Sequence, residues 1–264
     1  MTNFCTLDLK QHLDKKANYH THTTRCKHAS GTEREYIEKA IEAGYDVLGF
    51  SDHTPYLFKD KTYVSRVKMD MDQLEDYVST IDKLKAEYKN DIIIYTGLEM
   101  EYYPEEFNDT LKAVKQYPLD YLILGQHCLT TENWDEASAK PWLDESYLEL
   151  YLNRLESALN TGLFLYVAHP DMINFGGKPE IFDVYLWKLA NLLKKYHKPI
   201  EVNVNGYRKN IHYPNRRFIE IGVQNGNNFI VGVDAHNPVE LIDFENFNGC
   251  VELVTKLGGK VINL

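Results

Sequence analysis

Histidine and acidic side chains follow the ends of most apolar runs in this chain. Short runs rich in valine, isoleucine, leucine and tyrosine lead directly into residues of metal-binding type. Imidazole nitrogens and carboxylate oxygens are ligands that zinc, manganese and iron accept. The residues placed in this way are His20, His22, His53, Glu99, His127, His169, Asp234 and His236. We therefore expect a metal site assembled from distant parts of the chain.

Two pairs of these residues have the spacing that directs both side chains to one face of a strand. His20 and His22 form the first pair, and Asp234 and His236 form the second. Asp234 and His236 end the seventh predicted strand, which would neighbour the first in a closed barrel, so we expect both pairs to share one rim. His28 lies in the loop before the next helix and is a ninth candidate.

The number of candidate ligands indicates more than one ion. A structural zinc ion is saturated by four protein ligands, which is fewer than this chain offers. Two or three divalent ions fit the ligand set, and zinc, manganese and iron are all compatible with it. Glu99 is the expected bridging carboxylate, and Glu101, which has the same strand parity, is its rival.

Strand-like and helix-like segments alternate from about residue 18 onward, which predicts βα units and a parallel sheet. The first helix has a capping box from Thr32 to Glu35, and Gly44 is the expected residue after its end. A second helix is predicted from the apolar spacing between Met71 and Leu84. Other helices are predicted at 105–116, 145–161, 179–197, 215–225 and within 238–257, followed by a strand at 260–263. We expect a single domain over residues 1–264.

The bulk composition excludes several classes of protein. A net charge of −10 argues against general nucleic-acid binding, which needs a basic surface. No apolar run is long enough to span a bilayer or to form a signal peptide, so we expect a cytoplasmic protein. Reduced thiols are expected for the four cysteines, because no pair has metal-site spacing. They are Cys5, Cys26, Cys128 and Cys250.

The order of these motifs resembles that of the polymerase and histidinol phosphatase (PHP) superfamily. The chain has HxH, DH, GxE, a histidine at a strand end, AHPD and DAH, in that order, between about residues 18 and 240. The resemblance implies a distorted TIM-like barrel of seven βα units, (β/α)7, with a trinuclear metal centre. The family's ligands correspond to His20, His22, His28, His53, Glu99, His127, His169, Asp234 and His236. The stretches TRCKHASG, SDHTP and EVNVNGYRK are similar to the histidinol-phosphate phosphatase branch.

The resemblance implies hydrolysis of a small-molecule phosphate monoester. In that branch the substrate is L-histidinol phosphate, the products are L-histidinol and inorganic phosphate, and the reaction belongs to histidine biosynthesis. Divalent ions lower the pKa of water and neutralise the phosphoryl oxygens as the transition state forms. We expect Glu99, Asp234 and His236 to take part, with His236, Asp234 or a bound water protonating the leaving alkoxide.

Basic and amide side chains near the strand ends are candidate substrate contacts. Arg208 follows the sixth strand, and its guanidinium can bind phosphate through two hydrogen bonds. The other candidates are Asn205, Lys209, Lys61 and Arg66. A carboxylate for the ammonium group of the substrate is expected among Glu101, Asp171 and Glu201.

Other functions are compatible with parts of the pattern. The same site would suit a sugar phosphate, a nucleotide or a phosphotyrosine protein. Amidohydrolases also begin with HxH, but members with two metals resemble a pattern with a bridging lysine on strand four, where this chain has His127. They also have eight strands, whereas seven are expected around this site. A structural or storage metal protein fits poorly, because closed sites use four ligands per ion. The acidic charge disfavours a DNA-trimming exonuclease.

Overall fold

All strands of the computed structural model, which describes residues 7–262, join in one parallel sheet. Each strand pairs with the next one in chain order, as the predicted βα units require. The strands are β1 (Ala17–Asn18), β2 (Val47–His53), β3 (Ile93–Met100), β4 (Tyr121–Leu124), β5 (Phe164–Val167), β6 (Ile200–Asn203), β7 (Asn228–Gly232) and β8 (Lys260–Val261). The sheet is the parallel α/β barrel that the sequence predicts, in distorted form.

The ring of strands is joined at its carboxyl end by the segments that follow β1 and β7. Thr21 pairs in parallel with Ala235, and the backbone N–H of His22 donates to the carbonyl of Ala235 at 2.9 Å. The short strand β8 pairs with the start of β7, at the opposite end, and carries no candidate site residue. Seven strands therefore surround the mouth, as predicted. Asn263, the last residue of the predicted final strand, lies outside the described residues.

Helices lie in the connections between the strands, close to the positions that the sequence predicts. They are α1 (Glu33–Glu42), α2 (Leu74–Glu87), α3 (Phe107–Val114), α4 (Ser146–Leu159), α5 (Pro179–Lys195), α6 (Val204–Arg208), α7 (Arg216–Asn225) and α8 (Phe244–Thr255). The capping box of α1 is confirmed: the N–H of Thr32 donates to Glu35 at 2.6 Å, and the N–H of Glu35 donates to Thr32 at 3.3 Å. Gly44 has the left-handed φ of +72° expected after the helix.

The short helix α6 was not predicted. The apolar and polar alternation of IEVNVN predicts a sixth strand that continues to Asn205, but β6 ends at Asn203. The reason is a helix cap: the side-chain oxygen of Asn203 accepts a hydrogen bond from the N–H of Gly206 at 2.9 Å. Asn205 therefore lies in the first turn of α6, and strand parity does not describe its direction.

Large side chains fill the interior of the barrel below its mouth. Tyr121 is 1% exposed, and its hydroxyl donates to the carbonyls of Tyr19 at 2.8 Å and Phe50 at 3.0 Å. Tyr166 and Ile230 belong to the same buried cluster. A filled interior leaves space for a site only at the ends of the strands, as in other barrels of this kind.

Two expectations about the chain as a whole concern its helices and thiols. None of the helices within residues 7–262 is both long enough and apolar enough to cross a bilayer. Cys26, Cys128 and Cys250 are buried free thiols, which fits the expected reduced state. Cys5 lies outside the described residues.

Candidate metal centre

The nine predicted ligands converge at the carboxyl-end mouth of the barrel. Contacts between their rings connect the seven histidines into one continuous cluster. The centroid distances are 4.1 Å for His22–His236, 4.7 Å for His28–His236, 4.4 Å for His22–His53, 5.0 Å for His53–His127, 5.0 Å for His127–His169 and 5.6 Å for His20–His169. Glu99 and Asp234 lie within this cluster. The proximity expected from the strand ends is thus present in the fold.

Glu99 lies at the middle of the cluster. It is completely buried, and both of its carboxylate oxygens face imidazole nitrogens. Oε1 is near one group of histidines and Oε2 near another. The imidazole nitrogens around it belong to His169 (3.0 Å), His53 (3.0 Å), His127 (3.5 Å), His22 (3.6 Å) and His20 (3.7 Å). A carboxylate with imidazoles on both sides lies where a bridge between two ions would lie, and the bridging role of Glu99 stays a prediction.

Asp234 is the second carboxylate of the cluster. Its Oδ1 lies 3.1 Å from Nε2 of His22 and 3.5 Å from Nε2 of His20. Its Oδ2 accepts hydrogen bonds from the amides of Asn203, at 3.3 Å, and Asn205, at 3.1 Å. These amides fix the carboxylate so that Oδ1 faces the histidine pair.

His28, His53 and His236 form the outer part of the cluster. Nitrogens of all three converge closely enough to hold one ion. Nε2 of His28 and Nε2 of His236 are 3.0 Å apart, and the Nδ1 of His28 donates to the carbonyl of Cys26 at 2.7 Å. Two further groups, His20 with Glu99 and His169, and His20 with His22 and Asp234, converge in the same way in the buried part.

Backbone geometry explains how residues beyond the strands reach the mouth. His53 ends β2 and pairs in register with Glu99 of β3, so the two side chains share a face. The other ligands follow their strands instead of lying on them. His169 and Asp234 have φ values of +31° and +53°, in the left-handed region that non-glycine residues seldom adopt. Such backbone conformations concentrate at functional sites, where the surrounding structure maintains them.

Buried carboxylates contact several of the histidines through Nδ1, the ring nitrogen that faces away from Glu99. Nδ1 of His20 donates to Glu201 at 2.8 Å, and Nδ1 of His127 donates to Glu101 at 3.0 Å. Asp52 lies 3.5 Å from Nδ1 of His22. A carboxylate on one imidazole nitrogen fixes the ring and leaves the other nitrogen for a metal.

The sequence had suggested Glu101 and Glu201, with Asp171, as partners of the substrate's ammonium group. In the structure Glu101 and Glu201 instead contact histidines, and Asp171 accepts a hydrogen bond from the N–H of Asn215 at 2.5 Å. The strand parity that Glu101 shares with Glu99 was the sequence feature that placed it near the histidines. Glu201 contacts His20, which is far away in the chain, so no local sequence pattern indicated this contact.

Several buried atoms of the cluster have no hydrogen-bond partner among the described residues. They are Nε2 of His20, both ring nitrogens of His22, Nδ1 of His53 and both carboxylate oxygens of Glu99. Buried polar atoms are normally paired, because desolvation without a partner is costly. Convergent unpaired nitrogens and oxygens are the arrangement that divalent cations satisfy. The side chains therefore fit the expected metal ions.

A cavity of about 230 Å³ opens over this cluster, and we call it the mouth cavity. Six of the predicted ligands form its floor: His28, His53, His127, His169, Asp234 and His236. Its walls include Val67, Lys68, Trp134, Asn205, Lys209 and Tyr213. The volume suits a small molecule. Lys68 lies in the long connection between β2 and α2, and Trp134 lies in the long connection between β4 and α4, but neither was predicted as a site residue.

The candidate substrate contacts occupy different positions relative to this cavity. Asn205 and Lys209 line it. Arg208 is directed away, toward Glu240 at 2.7 Å, so its predicted phosphate contact stays a prediction that requires this ion pair to open. Neither Lys61 nor Arg66 lines the mouth cavity, and both are exposed. Their sequence signal was charge in a long loop, which does not determine the direction of a side chain.

The family is decided by a match that covers most of the chain. The PHP domain model matches residues 18–205, which include seven of the nine predicted ligands and the orienting Glu201. The chain belongs to the PHP domain family. The resemblance expected from the motif order is thereby confirmed for this PHP protein.

Relatives and solved structures agree with this assignment. A probable histidinol-phosphatase of Deinococcus radiodurans is 28% identical, over 92% of this chain and 94% of that protein. The histidinol-phosphatase of Bacillus subtilis is 31% identical over 58% of this chain and 63% of that protein. A histidinol phosphate phosphatase from Lactococcus lactis, solved with zinc, L-histidinol and phosphate, has a TM-score of 0.71 at 20% identity and covers 94% of this chain and 95% of its own. That likeness confirms the predicted fold class.

Charges within the centre of this PHP protein shift the pKa values of its side chains in opposite directions. Burial lowers the pKa of His22, but the nearby carboxylates of Asp234 and Asp52 outweigh that effect and raise it to about 9. Burial and the charge of His22 lower the pKa of His236 to about 3. Burial raises the pKa of Glu99, but the neighbouring imidazoles hold it well below its usual value. The centre therefore keeps its carboxylates ionised at neutral pH.

The raised pKa of His22 predicts how stability changes with pH once metals have been removed by a chelator. Because protonated His22 is favoured in the folded protein, its contribution to the free energy of unfolding is complete at pH values below about 6.5, the pKa of an unfolded histidine. That contribution is lost as the pH rises through about 9, the pKa of His22 in the folded protein. A shift of this size corresponds to about 3 kcal/mol. We expect the urea midpoint of the chelator-treated protein to fall between pH 6.5 and pH 9.

His22→Asn provides the control for this prediction, because the variant lacks the titrating group. Its urea midpoint should change less over the same pH range. Equal pH dependence in the two proteins would show that His22 is not the group responsible.

Proposed function

We propose that this PHP protein is a metal-dependent phosphatase that hydrolyses L-histidinol phosphate to L-histidinol and inorganic phosphate. The observation that carries the proposal is the buried Glu99 among five imidazoles, three of which, those of His53, His127 and His169, also line a small cavity together with Asp234. The choice of substrate is supported by the relative from Deinococcus radiodurans, which is similar along nearly its whole length. We further propose a single PHP domain over residues 1–264 and a cytoplasmic location.

Two or three divalent ions are proposed as the cofactor, with zinc, manganese and iron as candidates. The residues that would hold them are His20, His22, His28, His53, Glu99, His127, His169, Asp234 and His236. Bound ions would lower the pKa of water to supply a nucleophile near neutral pH and would neutralise phosphoryl charge. The separation of the ligands into buried and outer groups supports more than one ion.

The walls of the mouth cavity provide the substrate contacts in this proposal. Lys209 places a cation, and Asn205 an amide, beside the metal-ligating floor, where a phosphate group would lie. The indole of Trp134, which is 47% exposed, and the ring of Tyr213 offer flat surfaces for an imidazole. His236 and Asp234 both line the cavity, but the pKa values of both are held low enough to leave them unprotonated at neutral pH, so a bound water, the third candidate, would protonate the leaving alkoxide.

A panel of phosphate monoesters tests the proposed function. Phosphate release would be measured from L-histidinol phosphate, a sugar phosphate, a nucleoside monophosphate and a phosphotyrosine peptide. We expect kcat/KM for L-histidinol phosphate to exceed the others by about 100-fold, since a site built around a polar group discriminates strongly against substrates lacking it. A chelator should abolish the activity, and added zinc, manganese or iron(II) should restore it.

Two results would reject parts of this proposal. Comparable rates for all four substrates would reject L-histidinol phosphate as the specific substrate. Full activity after exhaustive metal removal, verified by elemental analysis, would reject a metal-dependent phosphatase altogether.

A further inference from the structure

A buried lysine joins the metal centre to the long loop that follows β2. Lys68 is 2% exposed, and its ammonium group lies 2.5 Å from Oε1 of Glu101. The same carboxylate oxygen accepts a hydrogen bond from Nδ1 of His127 at 3.0 Å. On the other side of its ring, Nε2 of His127 lies 3.5 Å from Glu99. The chain from lysine to carboxylate to imidazole therefore ends at the bridging carboxylate.

We propose that Lys68 and Glu101 are positioning residues that hold His127 with its proton on Nδ1, and so set the affinity of this side of the centre for a divalent ion. The inference rests on the proposed metal centre. It adds two residues that do not contact the metals in this arrangement, and it assigns Glu101 to ligand orientation instead of substrate binding.

The hydrogen-bond geometry determines the tautomer of His127. An ionised carboxylate only accepts hydrogen bonds, so the nitrogen that faces Glu101 must carry the proton. Nε2 then presents its lone pair toward Glu99 and the interior of the cluster. Partners of this kind typically contribute 10- to 100-fold to metal affinity.

Lys68 is needed because Glu101 has no contact with solvent. Glu101 is 0% exposed, and a buried carboxylate without a counter-charge is unfavourable. Lys68 offsets this charge and is also 3.5 Å from Glu132. Glu132 in turn accepts hydrogen bonds from Tyr63 at 2.8 Å and Ser65 at 2.7 Å, within the same loop as Lys68.

A direct phosphate contact is the competing role for Lys68, because its side chain lines the mouth cavity. Its ammonium group, however, already faces two buried carboxylates, Glu101 and Glu132. A phosphate would have to compete with both of them. This arrangement favours a positioning role over substrate binding.

Zinc titration without substrate tests the proposal. Chelator-treated wild-type protein and variants would be titrated with zinc in competition with a chromophoric chelator. We expect Glu101→Gln and Lys68→Met to weaken zinc binding at one class of site by about 10-fold or more. Lys68→Arg keeps the charge and should lie closer to wild type than Lys68→Met. Lys59→Met alters an exposed lysine of the same loop and is the matched control, with no expected change.

Zinc affinity within 10-fold of wild type for both Glu101→Gln and Lys68→Met would overturn the proposal. So would an equal loss in the Lys59→Met control. Thermal unfolding of the chelator-treated variants separates weakened binding from a failure to fold.

A spectroscopic measurement on the unaltered site covers the case in which the variants do not fold. Imidazole nitrogen NMR of the zinc-loaded protein, with the His127→Asn spectrum as the reference for assignment, should show the proton of His127 on Nδ1. A proton on Nε2 would overturn the proposal. None of these measurements uses L-histidinol phosphate. They therefore test the positioning role of Lys68 and Glu101 even if the proposed phosphatase activity is not found.

Discussion

Replacing Glu99 by glutamine is expected to lower kcat for phosphate release by more than about 100-fold, the upper range for loss of a residue that only supports a ligand. Glutamine keeps the length of the side chain but removes its charge and one of its two acceptor oxygens. Both oxygens of Glu99 face imidazoles, at distances from 3.0 to 3.7 Å. The variant therefore loses a carboxylate that faces five imidazoles of the cluster, including those of His53 and His127.

Elemental analysis should accompany the kinetic measurement, because the proposed role of Glu99 is to hold metal. We expect Glu99→Gln to retain fewer ions per chain than wild type after dialysis. Glu105→Gln, an exposed glutamate just beyond the same strand, is the matched control and should retain full metal and activity. Wild-type kcat in Glu99→Gln would exclude a bridging role.

The convergence of the candidate ligands could be predicted because all of them except His28 end or follow an apolar run, and parallel strands bring their carboxyl ends together. This rule needs only chain order, and it succeeded even though β1 is two residues long and ends before His20. The pairing of His20 and His22 with Asp234 and His236 followed from ring closure. Glu99 was preferred to Glu101 as the bridging carboxylate because Glu101 lies further out along the same strand, and the bridging role of Glu99 stays a prediction.

Contacts that depend on tertiary direction could not be predicted in this way. Arg208 and Lys209 are adjacent in the sequence and equally cationic, but only Lys209 lines the mouth cavity. Helix α6 separates them, since successive residues of a helix point about 100° apart. The sequence predicted a strand and not a helix before these two residues, so it could not indicate that their side chains point in different directions.

The burial of Lys68, in the loop that follows β2, also could not be predicted from the sequence. Four cations lie between residues 59 and 68, and charge alone does not distinguish the one that becomes buried. What distinguishes Lys68 is the pair of carboxylates, Glu101 and Glu132, that approaches it from elsewhere in the chain. The sequence of the loop does not indicate these partners.

Gly125→Ala is expected to impair the centre without changing any ligand. A Cβ atom at residue 125 would lie 2.5 Å from Cδ of Glu99, closer than real side chains approach. The glycine does not have a positive φ, so the effect would come from space and not from backbone strain. Alanine must displace the Glu99 carboxylate, and misplacement of a catalytic group by about 1 Å can cost 100-fold in rate. We expect a loss of about that size in kcat/KM, with fewer ions per chain.

Gly176→Ala is the matched control for this prediction. The nearest atom to a Cβ there would be the end of the Leu143 side chain, at 3.3 Å, which can move aside, and the next atoms lie at an ordinary contact distance of 3.9 Å. A double variant gives a sharper test, because Glu99→Asp shortens the carboxylate and makes room for the new methyl group. If Gly125 acts through Glu99, the two changes should be less damaging together than the product of their separate effects. Effects that simply multiply would mean that the methyl group disturbs the centre by another route.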